Sequence, residues 1–164
     1  MLPQVRLRRH RPGDLGWVVQ RHGELYWREY GYDERFEALV AGIVAQFVEN
    51  FDALRERCWI AESKGKRLGA VCVVKQSPRV AKLRLLIVEP AARGMGLGGR
   101  LVRACVRFAR AAGYGKVVLW TQSELEAARA IYIKTGFRLV RREPHTSFGK
   151  RLVGEYWELD LKRG

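Results

Sequence analysis

A cluster of glycines set between two regular patterns constrains this 164-residue chain more than any other feature. Leu83-Arg84-Leu85-Leu86-Ile87-Val88 reads as a buried strand, ended by Glu89-Pro90. Arg93-Gly94-Met95-Gly96-Leu97-Gly98-Gly99 follows, and then Leu97, Leu101, Cys105, Phe108 and Ala112 recur at helical spacing. A strand therefore feeds a glycine-rich turn that opens a helix. Such a turn offers unpaired backbone N–H groups at the positive end of the helix dipole, which suits a phosphate or pyrophosphate. Glycines also lack the Cβ atoms that would hold a ligand's oxygens away from the backbone. No Asp or Glu lies between Glu89 and Glu124, whereas Arg93, Arg100, Arg103, Arg107, Arg110 and Lys116 do. The expected feature is an anion cradle.

Two familiar phosphate loops do not fit. A dinucleotide fingerprint needs a third glycine where Leu101 stands, and its acidic partner would have to be Glu124, on the wrong element. A P-loop needs Lys and Ser or Thr after its spacer, but Gly99 is followed by Arg100-Leu101. Arg93-x-x-Gly96-x-Gly98 resembles instead the Gln/Arg-x-x-Gly-x-Gly/Ala signature of the GNAT superfamily of N-acetyltransferases. Downstream, Lys116 to Thr121 reads as a short buried strand, and Ala127 to Tyr132 as a helix with Gly136 able to cap it. Ala128, Tyr132, Gly136 and Phe137 fall in register with the second motif of that family, while Leu125 stands where many relatives carry Asn. The resemblance covers nearly the whole chain. It is nearest to the acetyltransferase half of proteins that join a MarR-type DNA-binding domain to a GNAT domain.

The coarse element order agrees with that resemblance. Val5 to His10 alternates as a strand, and Asp14 is placed to cap a helix from Leu15 to Tyr30, either continuous or broken near Gly23. Asp33 can cap a second helix, Glu34 to Val48, whose Phe36, Leu39, Val40, Ile43, Val44 and Phe47 share a face. Strands follow at 58–62, 67–75 and 80–88, then a helix at 97–112, a strand at 116–121 and a helix at 124–134. Two last strands are expected near 137–142 and 152–161, with His145 in the loop between them. The expected fold class is α/β, a GNAT fold in the order β-α-α-β-β-β-α-β-α-β-β. Its sheet is mixed but mostly antiparallel, with helices on both faces, in one domain over 1–164.

Composition fits a globular chain, 48% hydrophobic and 10% aromatic. No apolar run has the length of a membrane span, and Met1 to Arg6 lacks a leader's hydrophobic core, so a cytoplasmic protein is expected. Cys58, Cys72 and Cys105 are isolated in apolar surroundings, and no His or Cys pair has metal-ligand spacing, so neither disulfide nor metal is expected. The formal net charge is +14, yet residues 12–62 hold ten acidic side chains against five basic ones. A basic surface can serve nucleic acid. No nucleic-acid motif accompanies this one, so a nucleic-acid partner is not expected for the chain alone. An anionic cofactor beside a cationic amine suits the charge division better.

The resemblance implies the remaining roles. Acetyl-CoA is the cosubstrate, its pyrophosphate on Arg93, Gly94, Met95, Gly96, Leu97, Gly98 and Gly99. Its pantetheine arm lies between Leu86, Ile87 and Val88 on one side and Thr121 and Ala128 on the other. Tyr132 stands at the family position for the general acid that protonates the departing thiolate. Tyr26, Glu29 and Tyr30 border the acceptor, expected to be a primary amine, cationic at neutral pH. No general base is assigned, since residues 81–85 hold no carboxylate and His22, Glu24, Glu29 and His145 are all open to structural roles. A homodimer stays open, as does a non-catalytic acyl-CoA sensor or interaction domain related to a regulator.

Overall fold

The computed structural model describes residues 4–161; residues 1–3 and 162–164, including the Met1–Pro3 start considered for a leader, lie outside the description. The elements are β1 (Arg6–Arg9), α1 (Asp14–Tyr30), α2 (Glu34–Glu49), β2 (Arg57–Ser63), β3 (Lys66–Lys75) and β4 (Val80–Val88), then α3 (Leu97–Ala111), β5 (Lys116–Gln122), α4 (Glu126–Thr135), β6 (Arg138–Ser147) and β7 (Lys150–Asp160). The order is the expected one, with a short 3-10 turn at Pro90–Ala92 before α3. No described helix is long and apolar enough to cross a membrane.

Seven strands form one sheet in the order β1-β2-β3-β4-β5-β7-β6. All neighbours run antiparallel except β4 and β5, which are parallel. Alternation along the strands sends two sets of side chains to opposite faces. Ala61, Val71, Val73, Leu83, Val117 and Leu119 pack with Leu101, Val102 and Cys105 of α3 and with Tyr132 of α4. Ile60, Ala70, Cys72 and Ile87 pack on the other face with Val18 and Leu25 of α1 and Val40 and Phe47 of α2. Each helix pair thus covers one face.

Two local expectations need correction, and one open alternative is settled. Helix α1 is the continuous form, unbroken through Gly23. A Cβ there would lie 2.7 Å from Glu37 Oε1. Asp14 does not cap α1; Gly13 occupies the cap position with φ +97° and Asp14 is the first helical residue. The Asp14 carboxylate is fully buried and accepts hydrogen bonds from Arg8 (2.7 and 3.0 Å), Arg67 Nε (2.9 Å) and the Arg11 N–H (2.8 Å). Burial alone would raise its pKa, but these donors outweigh burial and hold it well below the usual carboxylate range.

The second correction concerns residues 137–161. Instead of two short strands and a loop, β6 and β7 form one long hairpin across Phe148-Gly149. Both turn residues have positive φ, +55° and +80°, as a two-residue hairpin turn with the sheet's own twist requires. Pro144, the apparent strand breaker, is tolerated because β6 is an edge strand with no neighbour on its far side. His145 therefore sits within a strand. Asp33 caps α2 as expected, accepting from the Arg35 N–H at 3.0 Å.

Candidate active site

The glycine-rich turn has the expected form. Gly94 and Gly96 take left-handed φ values of +80° and +75°, and Gly96 is the N-cap of α3. No side chain caps this helix end, so its first-turn amides remain available to a ligand. Open space lies where a Gly94 or Gly96 side chain would start. Gly98 serves a different need. A Cβ there would lie 2.6 Å from Ile131 Cδ1, so this glycine lets α4 pack against α3 beside the cradle.

A cavity of about 390 Å³ opens at this helix end. Of the residues expected to hold the cofactor, Leu86, Ile87, Val88, Arg93, Gly94, Gly96, Leu97, Gly98, Gly99 and Ala128 line it. Met95 does not; it packs against the core beneath the turn. Thr121 and Tyr132 line a second cavity instead. The sheet itself explains why two cavities meet. Strands β4 and β5 pair only from Val80–Lys116 to Lys82–Val118, and beyond that they part. Leu85 stands at φ +60°, and β3 passes from partner Arg84 to partner Ile87 across two of its own residues. This is a bulge in β4. Leu85 and Leu86 consequently have no ladder partner on either side, and their backbone faces the gap.

The second cavity, about 240 Å³, lies on the α1/α2 side of the gap. Tyr26, Leu86, Leu125 and Ala128 line both, so the two cavities share one wall. Leu125, expected to weaken a polar contact, contributes an apolar edge to this junction. Tyr132 is buried and its phenol is held well above its ordinary pKa, first by burial and then by Tyr26 and Cys105, so it stays protonated. His22 also lines the second cavity. Its Nδ1 lies 2.8 Å from the Val18 carbonyl and so donates to it, which leaves Nε2 as an acceptor. Burial pushes its pKa down to about 4, so the ring is neutral at pH 7 and a weak resident base.

His145 lines neither cavity; it lies 2.9 Å from both Gln122 Oε1 and Ser147 Oγ, in the sheet beyond Trp120. Trp120 and Gln122 do line the second cavity, a role not expected from sequence. The signal lay in their strand, since residues on either side of Thr121 reach the parted end of β5. Gly154 makes room for the indole, because a Cβ there would lie 2.8 Å from Trp120 Nε1.

The acceptor-side expectation changes most. Tyr26 reaches the second cavity, but Glu29 and Tyr30 line only the first. Glu29 pairs with Arg93 at 3.1 Å across the cradle's rim. The acidic excess of residues 12–62 does not converge on an amine site either. Asp14 pairs with Arg8 and Arg67, Glu24 with Arg21, Asp33 with Arg35, and Glu62 with Arg6 and Arg8. Ion pairing within the chain accounts for those carboxylates, and among the described residues no Asp or Glu lines the second cavity.

Comparison with known proteins agrees with this geometry. The chain is 30% identical over 118 residues to mycothiol acetyltransferase of Amycolatopsis mediterranei, a match covering 63% of this chain and 38% of that protein. It is 38% identical over 101 residues to N-acetyltransferase family 8 member 2 of Rattus norvegicus, covering 58% of this chain and 44% of the relative. The matched region thus spans less than half of either relative. The fold superposes with TM-score 0.79 on yncA of Salmonella typhimurium, solved with its cofactor acetyl-CoA. That pairing has 18% identity and covers 98% of this chain and 95% of the other. The sequence profile of the acetyltransferase (GNAT) family matches residues 17–137, which take in the cradle, the parted strands and Tyr132 alike; the chain belongs to the acetyltransferase (GNAT) family.

Proposed function

We propose that this chain transfers the acetyl group of acetyl-CoA to a primary amine by direct attack of the amine on the thioester. The observation that carries the reading is the junction of the two cavities at Tyr26, Leu86, Leu125 and Ala128, where β4 and β5 part. The uncapped end of α3, with its left-handed glycines, fits a pyrophosphate, and the gap leads from there to the second cavity. The amine nitrogen forms a bond to the thioester carbon, and the C–S bond breaks. The free backbone at Leu85 and Leu86 supplies the amide available to the developing oxyanion. One proton of the ammonium goes to water before attack; Tyr132 gives its proton to the leaving sulfur and is restored, by way of solvent, by the second proton that the attacking nitrogen loses.

Thiol release from acetyl-CoA, measured against a panel of primary amines, tests this directly. Release that needs both protein and amine is expected. Tight CoA binding with no amine-dependent release would instead mark a non-catalytic acyl-CoA sensor.

Glu29 belongs to the cofactor side in this reading. Glu29→Gln frees Arg93 and removes a negative charge from the cradle's rim. The pair is partly exposed, so the effect is modest: KM for acetyl-CoA should fall about two- to fivefold, with KM for the amine unchanged. A change confined to the amine's KM would return Glu29 to the acceptor side.

A further inference from the structure

The second cavity carries a charge pattern that the acetyl transfer itself does not require. Lys82 and Arg84, two residues apart on β4, both line it and project from the same face of the strand. Among the described residues no carboxylate pairs with either. Both are only partly exposed. Burial depresses the pKa of each, and in Lys82 the charge of Arg84 adds to the effect. The other titratable groups facing this space are the neutral His22 and the phenols of Tyr26, Tyr32 and Tyr132. One further polar atom of the lining residues, Trp120 Nε1, is buried without a hydrogen-bond partner, whereas the Tyr32 hydroxyl lies against the Glu124 carboxylate, which is itself paired with Lys150. Opposite this polar side stand Phe36, Leu39 and Ile43 of α2.

Half-buried cations without a counter-ion are costly, and an anionic ligand relieves that cost. A polyamine or a lysine side chain would meet only repulsion here. We propose that the acceptor is a free α-amino acid with an apolar side chain. Its carboxylate seats on Arg84 and Lys82, its side chain lies on Phe36, Leu39 and Ile43, and its amine points to the gap at Leu86. The Arg84 guanidinium suits a carboxylate because its planar fork can donate two parallel hydrogen bonds. This inference rests on the acetyl-transfer reading for the direction of the amine, but its binding test does not.

The test uses the CoA-saturated protein and calorimetry, with L-phenylalanine, L-leucine and L-methionine each compared with its own carboxamide. The amide keeps the amine and side chain and loses only the negative charge. At least one free acid should bind about tenfold or more tightly than its amide, a difference of about 1.4 kcal/mol. Arg84→Gln should erase that preference, and Lys82→Gln should reduce it. Because Arg84 has no protein counter-ion, Arg84→Gln should keep CoA binding and leave Tm equal or higher, unlike removal of an arginine from a structural ion pair. If no acid binds more tightly than its amide, or if Arg84→Gln keeps the preference, the carboxylate site is overturned. Acid-selective binding without thiol release would instead keep the site and reject the acetyl-transfer reading.

Discussion

Gly99→Glu should lower CoA affinity on the order of a hundredfold while leaving the fold as stable as before or more so. Gly99 is the third residue of α3 and lines the cradle, and the nearest atom to a Cβ there is the mobile Arg103 Nη1 at 3.0 Å. Replacing a helical glycine gains about 0.5–1 kcal/mol of helix preference, and a carboxylate in the first turn favours the helix dipole. That same carboxylate stands where the pyrophosphate belongs. Two like charges about 5 Å apart, at an effective dielectric constant of about 20, repel by roughly 3 kcal/mol, which is the hundredfold. Gly96→Val and Gly98→Val are poorer probes. The first strains a left-handed N-cap, and the second collides with Ile131, so either could unfold the turn rather than block a ligand. Calorimetry on Gly99→Glu beside Gly99→Gln separates charge from bulk. Wild-type affinity in Gly99→Glu would remove the phosphate from this turn.

Tyr132→Phe should lower kcat by about ten- to a thousandfold, the ordinary range for losing a general acid, and change KM for acetyl-CoA little. The ring stays packed near Phe137 and Trp157, with centroids 5.8 and 6.3 Å away, so the substitution removes the proton and keeps the wall. Burial raises the phenol's pKa, which keeps it a donor through neutral and mildly alkaline pH. The alkaline limb of the wild-type rate profile should therefore not report an ordinary tyrosine near pH 10. An unchanged kcat in Tyr132→Phe would make Tyr132 a packing residue only.

Much of the site was legible because its parts are local in sequence. The cradle falls within seven consecutive residues, of which Gly94 and Gly96 are needed by backbone conformation and Gly98 by close approach, and such needs leave marks in residue type. The second motif was legible for the same reason, since Ala128, Tyr132 and Gly136 share one short helix and its cap. The second cavity was not. Its wall joins His22 of α1, Phe36 and Ile43 of α2, Arg84 of β4 and Trp120 of β5. No spacing along the chain links them. The net charge of residues 12–62 did not by itself locate a site, because a carboxylate's effect depends on its partner: Glu24 pairs within its own helix, while Glu62 and Glu29 pair with residues far along the chain.

The amino-acid sequence by itself determined the order of elements, the glycine-rich turn at the start of α3 and the position of Tyr132, because periodicity, capping and left-handed glycines are set by neighbours along the chain. Tertiary structure alone decided where β4 and β5 part, beyond Lys82–Val118, and placed a bulge at Leu85 that no residue type announces. It alone decided that Pro144 belongs to a long edge strand, since whether a proline breaks a strand depends on what lies beside it. It also decided that Glu29 pairs with Arg93 while Lys82 and Arg84 face a cavity without a carboxylate. Charges act through space, and only the folded chain determines which of them meet.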